Sequence, residues 1–357
     1  MHIFLNCIST DNSKNELIHN YFRFNQIEHR VIDIFDDPSP LDLFLADKNP
    51  KLLILGFGDL GHALSYNEKI KNKLIEFINN NNYLWIWNDT DGMPKLFRYK
   101  QALQEFDRQL KSNQTKIFLE GKIINKEQHF FDNIKFEFLN FTTILNEIRV
   151  KYSSVEKFNC KKDYLATIHL KKSPLHKHRQ ILHQEIMSRP LLVAKGRNIF
   201  RNIKDPWIGE LPTYHNWRDG NPSMDLYLDA WIELVSETFG ENVYFETEKT
   251  FKPIVTKTPF IIQAAPGYLE YLKTKGFKTF SSLINENYDK EQNLEKRTKI
   301  IADLLEDIIK NSAKDFYFAS KDILEYNQKR LFELLGRKQY DLDLLFHNSL
   351  LSINYKF

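Results

Sequence analysis

Between Trp231 and Phe260 the chain reads WIELVSET (Trp231–Thr238) and then, after a short loop, VYFETEKTFKPIVTKTPF (Val243–Phe260). An apolar run that closes on Ser236-Glu237-Thr238, a loop, Thr247-Glu248-Lys249 and a second apolar run predict strand, loop, helix and strand in that order. A lysine at a helix mouth meets phosphate, and a neighbouring carboxylate holds sugar hydroxyls. In an open α/β sheet such groups lie beyond the carboxyl ends of the strands, where this layout puts Glu237, Glu248 and Lys249. The competing reading is a helix-start carboxylate beside a solvated lysine, because acidic residues favour first turns for dipole reasons alone.

Outward from this stretch the alternation continues on the amino-terminal side. Tyr164–Leu170 reads as a strand, Pro174–Met187 as a helix, and Leu191–Ala194 and Ile232–Val235 as strands. The first part of the chain repeats the scheme. Strands are expected at His2–Ser9, His29–Phe35, Lys51–Leu55, Tyr83–Trp87 and Lys116–Leu119, a capping box at Ser13–Glu16 with a helical face of Leu17, Ile18, Tyr21 and Phe22, and a helical stretch over Tyr66–Asn79. Asn79–Asn82 reads as a turn. Strands alternating with helices argue for parallel, doubly wound sheets, hence an α/β fold of two Rossmann-like domains. The polar stretch Val150–Lys162 suggests the boundary, dividing the chain into residues 1–155, 156–320 and a carboxyl-terminal helical segment 321–357. In the last third, Ile300, Ile301, Leu304, Leu305, Ile308 and Ile309 mark one helix face and Ile323–Leu335 another.

Composition narrows the class. The 357 residues are 42% hydrophobic and 27% charged, values of a globular chain long enough for two cores. Fifty basic against 47 acidic residues leave +3, too near neutrality to demand nucleic acid. Cys7 and Cys160 stand alone, outside any C-x-x-C spacing, and read as small buried residues of a reducing compartment. The amino terminus lacks a signal-peptide pattern and no run of about 18 apolar residues occurs, so a soluble cytoplasmic protein is expected.

Four further clusters carry chemistry. In Ser173-Pro174-Leu175-His176-Lys177-His178-Arg179, a capping serine and a first-turn proline announce a helix start. Cationic side chains there oppose the dipole unless an anion sits among them, and a solvated basic turn is the alternative. Lys195, in Lys195-Gly196-Arg197, follows an expected strand and could touch phosphate or form a surface turn, and Tyr214–Gly220 could stack on a sugar or base or be an ordinary loop. Gly56-Phe57-Gly58-Asp59-Leu60-Gly61 is a G-x-G-x-x-G after the third expected strand. It reads as a tight strand-to-helix turn with Asp59 or His62 available to an acceptor, and a dinucleotide oxidoreductase is its rival reading. Asp89-Thr90-Asp91 closes an aromatic strand. It suits either a metal-binding D-x-D or a general base, against turn capping.

The runs SET, TEKTFKP and PFIIQAAPGYLEYLKTKGFKTF resemble the donor-binding half of fucosyltransferase-like glycosyltransferases, including relatives in phages and giant viruses. The resemblance covers about residues 164–280, with Glu237-Thr238 standing where that family has Glu-Asn and Phe245 where it has Tyr. It implies a GT-B architecture, two Rossmann-like domains with a cleft between them, and inverting, metal-independent transfer from a nucleotide-diphosphate sugar with no further cofactor. It also implies that Arg179, with His178, meets the diphosphate, Lys249 the donor phosphate and Glu248 the ribose, with Glu237 alongside. Asp89, with Asp91 second, would be the base in the acceptor-binding first domain, and the terminal helix would return to that domain. Glycan and modified nucleic acid are both open as acceptor. The rivals are a metal-dependent GT-A-type transferase using Asp89 and Asp91 and a nucleotide-binding or assembly protein without turnover.

Overall fold

The computed structural model describes residues 2–6, 22, 26–32, 39–46, 49, 51–87, 92–120, 122–123, 131–139, 162, 164–172, 176–202 and 230–353. Cys7, Cys160, the helix expected after Ser13 and the boundary stretch at 150–161 lie outside them. The chain forms two compact units, Met1–Asn140 with Lys338–Phe357, and Phe141–Arg337. Among the described residues no helix is long and apolar enough to cross a membrane.

The first unit carries strands β1 (His2–Asn6), β2 (His29–Ile32), β3 (Lys51–Gly56), β4 (Tyr83–Trp87), β5 (Thr115–Glu120), the two-residue β6 (Lys122–Ile123) and β7 (Ile134–Leu139). Six of them form one sheet in the order β2-β1-β3-β4-β5-β7, every pairing parallel. Leu52, Leu53, Ile54 and Leu55 are all buried, as a strand covered on both faces requires. The order reverses at β1 and β3, so with right-handed crossovers helices cover both faces. The helices are α1 (Ser39–Ala46), α2 (Phe57–Tyr66), α3 (Glu68–Asn79) and α4 (Gly92–Gln109). The single helical stretch expected at Tyr66–Asn79 is interrupted at its start. Asn67 closes α2 and caps α3, its side-chain oxygen accepting from Ile70 N at 3.1 Å. The turn expected at Asn79–Asn82 is present, with Asn81 at φ 62°. Buried Asn82 then ties it down, accepting from Lys51 N at 3.0 Å and donating to Phe77 O at 2.9 Å.

Strand β7 was not expected, although Ile134, Phe136 and Phe138 alternate with Lys135 and Glu137. Its start is set by buried Asp107 at the end of α4, which accepts from the backbone N–H groups of Asp132, Asn133 and Ile134 at 2.8, 2.9 and 2.8 Å. The glycine turn joins β3 to α2 without a loop, Gly56 being the helix N-cap. A β-carbon on Gly61 would lie 2.3 Å from the Tyr99 ring, so the last glycine of the motif lets α2 approach α4.

The second unit holds β8 (Tyr164–Lys172), β9 (Gly196–Asn202), β10 (Ala230–Ser236), β11 (Val243–Tyr244) and β12 (Phe260–Gln263). Its four-stranded sheet has the order β12-β10-β8-β9, again with all pairings parallel. Here the order reverses at β8 and β10. Its helices are α5 (Lys177–Met187), α6 (Pro190–Lys195), α7 (Glu248–Val255), α8 (Tyr268–Thr274), α9 (Leu294–Asn311) and α10 (Ala313–Ala319). The strand expected at Leu191–Ala194 is the helix α6 instead, and the strand follows it as β9. Pro190 at the first helical position and Gly196 after the last helical residue are the end signals that override the short apolar run. On α9, Ile301, Leu305, Ile308 and Ile309 are buried as expected, and Ile300 faces out.

The last helix, α11 (Lys321–Leu351), begins in the second unit, and its residues from Lys338 onward group with the first. Gly336 sits in its interior, exposed, with open space where a β-carbon would be. Glycine at such a position costs about 0.5–1 kcal/mol relative to alanine. Gly336→Ala should therefore raise stability by about that amount, seen as slower hydrogen exchange of the surrounding α11 amides through a urea series.

Candidate functional site

The carboxyl end of β10 is the centre of the second unit. Residues 230–236 of this strand are all buried, and Ser236-Glu237-Thr238 emerges at the point where the strand order reverses. Helix α7 points its amino terminus at the same place. Thr247 is its N-cap, in extended conformation at φ −118° and ψ −178°, with Oγ1 accepting from Lys249 N at 3.3 Å. Helix and strand end are joined by one carboxylate. Glu237, 1% exposed, accepts from Thr247 N at 3.2 Å and Thr250 Oγ1 at 2.5 Å through Oε1, and from Thr238 N at 3.0 Å and Thr247 Oγ1 at 2.7 Å through Oε2. A buried carboxylate at a helix amino terminus meets unpaired N–H groups and the positive end of the dipole.

The lysine sits against the two threonines. Lys249 Nζ lies 3.0 Å from Thr247 Oγ1 and 3.5 Å from Thr238 Oγ1, partly buried. Deeper in, the Thr250 hydroxyl meets the Tyr268 hydroxyl at 3.0 Å. Burial first, and then the Glu237 charge, push the Tyr268 phenol well above its usual range, so it stays protonated. Next to Thr247, buried Glu246 pairs with Lys275 and accepts from the Tyr271 hydroxyl at 3.0 Å. Tyr244 stacks on Tyr271 with centroids 4.8 Å apart, and its hydroxyl donates to Pro266 O at 2.9 Å.

Helix α5 completes the arrangement from the other side of the reversal. His178 Nε2 lies 2.9 Å from Glu237 O, and Arg179 Nη2 donates to Glu237 O at 2.9 Å and to Ser236 O at 3.3 Å. Burial, with the charges of Arg179, His176 and Arg297 adding to it, pushes the His178 imidazole down to about 3. The ring is therefore neutral, and its Nε2–H donates to the carbonyl. Gln263 at the end of β12 locks the strands together, accepting from Ser236 Oγ at 3.0 Å and donating to His178 O at 3.1 Å and Thr298 Oγ1 at 2.8 Å.

Several expected residues thus meet at the β10 end. The helix expected from Pro174 starts at Lys177, with His176 as N-cap, while Ser173 and Pro174 lie outside the described residues. Its first-turn side chains have partners within the chain. His178 is neutral, Arg179 lies on backbone carbonyls, and exposed Lys177 pairs with Glu295 at 3.4 Å. Arg179 is 3% exposed and Glu237 1%, and both hold the strand end in place. Lys195 is exposed at the last position of α6, immediately before β9, which puts it at the amino edge of the parallel sheet. It stands at the opposite edge from Glu237, because the strand it was expected to follow in fact follows it.

Glu248 opens α7, but its side chain is outside the described residues, as are those of Asp59 and His62 on α2. Asp89, Thr90, Asp91 and the Tyr214–Gly220 stretch also lie outside them. Among the described residues no cluster of three or more His, Cys, Asp or Glu could hold a metal ion. Sequence reading missed Thr238, Thr250, Tyr268 and Gln263. For Thr250 the signal was its T-x-x-T spacing from Thr247, which puts both hydroxyls on one side of the first turn of α7.

No family model matches the chain, and no curated protein matches it. Two of the solved structures similar to it are glycosyl-group enzymes by name. One is an α,α-trehalose 6-phosphate synthase from Burkholderia multivorans, at 10% identity over 96% of this chain and 82% of that one, with a TM-score of 0.43. The other is an α1,3-fucosyltransferase with GDP-fucose, at 11% identity over 81% of this chain and 90% of that one, with a TM-score of 0.35.

At the β10 end the Glu237 carboxylate and the Lys249 ammonium face each other through the Thr247 hydroxyl. The ammonium of Lys249, the Thr238 hydroxyl and the amino end of α7 converge there, and the Thr247 hydroxyl, its proton on Glu237, accepts from that ammonium. Such a set suits phosphate oxygens, which take charge-assisted hydrogen bonds from lysine and benefit from the helix dipole.

Proposed function

We propose that the chain is a glycosyltransferase of GT-B type that moves a sugar from a nucleoside-diphosphate donor to an acceptor hydroxyl, with inversion and without a required metal. The observation that carries the reading is the position of Lys249, at a helix mouth beside the β8/β10 strand reversal, with Thr238 and Thr247 against its ammonium. The resemblance of the SET and TEKTFKP runs to a donor-binding half agrees with it. In this reading Lys249 and the α7 dipole stabilise the charge that gathers on the departing diphosphate, the role of preorganised electrostatics in phosphate-leaving reactions. Glu248 is assigned the donor ribose, and Asp89, with Asp91 second, the proton of the attacking hydroxyl. His178, Arg179 and Glu237 are assigned to shaping the strand end.

The test is turnover. Incubating the protein with UDP-, GDP- and CDP-sugars should release one nucleoside diphosphate in the presence of a chelator. Lys249→Ala should lower kcat/KM at least tenfold, a loss of about 1.4 kcal/mol of transition-state stabilisation. Release that Lys249→Ala leaves unchanged would contradict the donor site, and release seen only with manganese would favour a GT-A-type reaction through Asp89 and Asp91.

One observation favours a second reading. The Gly56–Gly61 motif begins at the carboxyl end of β3, beside the β1/β3 reversal of the first unit, which is where a doubly wound sheet takes a nucleotide. Binding of a nicotinamide dinucleotide there, with no nucleoside diphosphate bound by the second unit, would support an oxidoreductase or a non-transferring nucleotide binder instead.

A further inference from the structure

We infer that Thr247 is a positioning residue, whose hydroxyl, aligned by the Glu237 carboxylate, holds the Lys249 ammonium in place for the donor diphosphate; this rests on the donor-site reading above. The direction of each hydrogen bond follows from what its atoms can do. A carboxylate accepts only and an ammonium donates only, whereas a hydroxyl has one proton and two lone pairs. At 2.7 Å from Glu237 Oε2, the Thr247 hydroxyl must spend its proton on the carboxylate. Its lone pairs are then left to Lys249 Nζ at 3.0 Å and Lys249 N at 3.3 Å.

Glu237 is itself immobilised. The backbone N–H groups of Thr238 and Thr247 hold it, and the Thr250 hydroxyl, whose proton also goes to the carboxylate, accepts in turn from the protonated Tyr268 phenol. A buried line of one-way bonds thus runs from Tyr268 through Thr250 to Glu237, and a second runs from Lys249 through Thr247 to the same carboxylate. Thr247 is 2% exposed, so water does not compete for its hydroxyl. Lysine is otherwise a flexible side chain with freely rotating donors. Fixing the ammonium before the ligand arrives removes an ordering cost from binding and from the transition state.

The experiment is a double-mutant cycle on the full chain, with the dissociation constant of inorganic pyrophosphate measured by calorimetry for the wild type, Thr247→Val, Thr247→Ser, Lys249→Ala and Thr247→Val/Lys249→Ala. We expect Thr247→Val to weaken binding about tenfold, Thr247→Ser to stay within about twofold of wild type, and the valine substitution to add no further loss once Lys249 is alanine. Equal weakening by valine in both backgrounds would mean a merely structural cap, and no weakening by valine would mean that Lys249 positions itself. Either outcome overturns the inference while leaving the donor site standing. Lys249→Ala binding pyrophosphate as the wild type does would instead overturn the donor-site reading, and this inference with it. Should the valine variant fail to fold, Thr247→Ala is read in its place by the same criteria.

Discussion

Glu237→Ala is expected to lower the stability of the second unit by about 3–5 kcal/mol, because it strands several buried donors at once. The N–H groups of Thr238 and Thr247 and the hydroxyls of Thr247 and Thr250 all end on this carboxylate. Each buried donor left without an acceptor costs about 1–3 kcal/mol, and water entering the vacated space recovers part of the total. Glu237→Gln keeps the volume and one carbonyl oxygen but turns an amide N–H toward two donors, so it should cost about half as much. Because the chain has two units, a single global melt would mix their transitions. Hydrogen exchange of the β10 and α7 amides through a urea series isolates the right one. A loss below about 1 kcal/mol for the alanine variant would show that Glu237 is not the joint between strand and helix.

Acid sensitivity should come from His178. Its folded-state pKa is pushed down to about 3 from 6.5, chiefly by burial, with the Arg179, His176 and Arg297 charges acting in the same direction. Between these two values the unfolded chain binds a proton that the folded chain refuses. The stabilising contribution is thus complete above about pH 6.5 and is lost as pH falls toward 3, by up to about 1.4 kcal/mol per pH unit. Over the whole window the loss is on the order of 5 kcal/mol. Glu286 and Asp289, both raised by burial, act with the opposite sign. Comparing wild type with His178→Gln, which keeps a donor for Glu237 O, cancels their contribution. The wild type should lose stability relative to the variant between pH 6.5 and 5, and parallel curves would show that His178 carries a proton in the folded state.

What could be read in advance follows from the kind of signal each element left. Tyr83–Trp87 is an apolar run bounded by asparagines and forms β4 with the expected ends. The Thr247 cap and the helix behind it were legible because threonine before Glu-Lys is a local signature, and α7 confirms it. Leu191–Ala194 misled because four apolar residues fit a buried strand or a short helix equally well, and only the flanking Pro190 and Gly196 decide. A strand that begins at Gly196 and not at Leu191 moves Lys195 from its carboxyl end to its amino end.

The direction in which a polar side chain turns was not legible at all. Arg179 stands in a basic run, and its guanidinium lies on the carbonyls of Ser236 and Glu237, some 57 positions away in sequence. The same holds for Asp107, whose partners at Asp132–Ile134 are set by the fold and by no local pattern. Local signals carry caps, turns and periodicity. Long-range hydrogen bonds arise only when the sheets have assembled.

The central claim is that the carboxyl end of β10 and the mouth of α7 take a nucleoside diphosphate. Hydrogen exchange followed by mass spectrometry, with and without UDP, GDP and CDP at saturating concentration, tests it most directly. The account predicts that one of these slows exchange in peptides covering Ser236–Thr238 and Thr247–Thr250, and that Lys249→Ala abolishes the effect. Protection confined to the Gly56–Gly61 turn, or none at Thr247–Thr250 with any nucleotide, would contradict it.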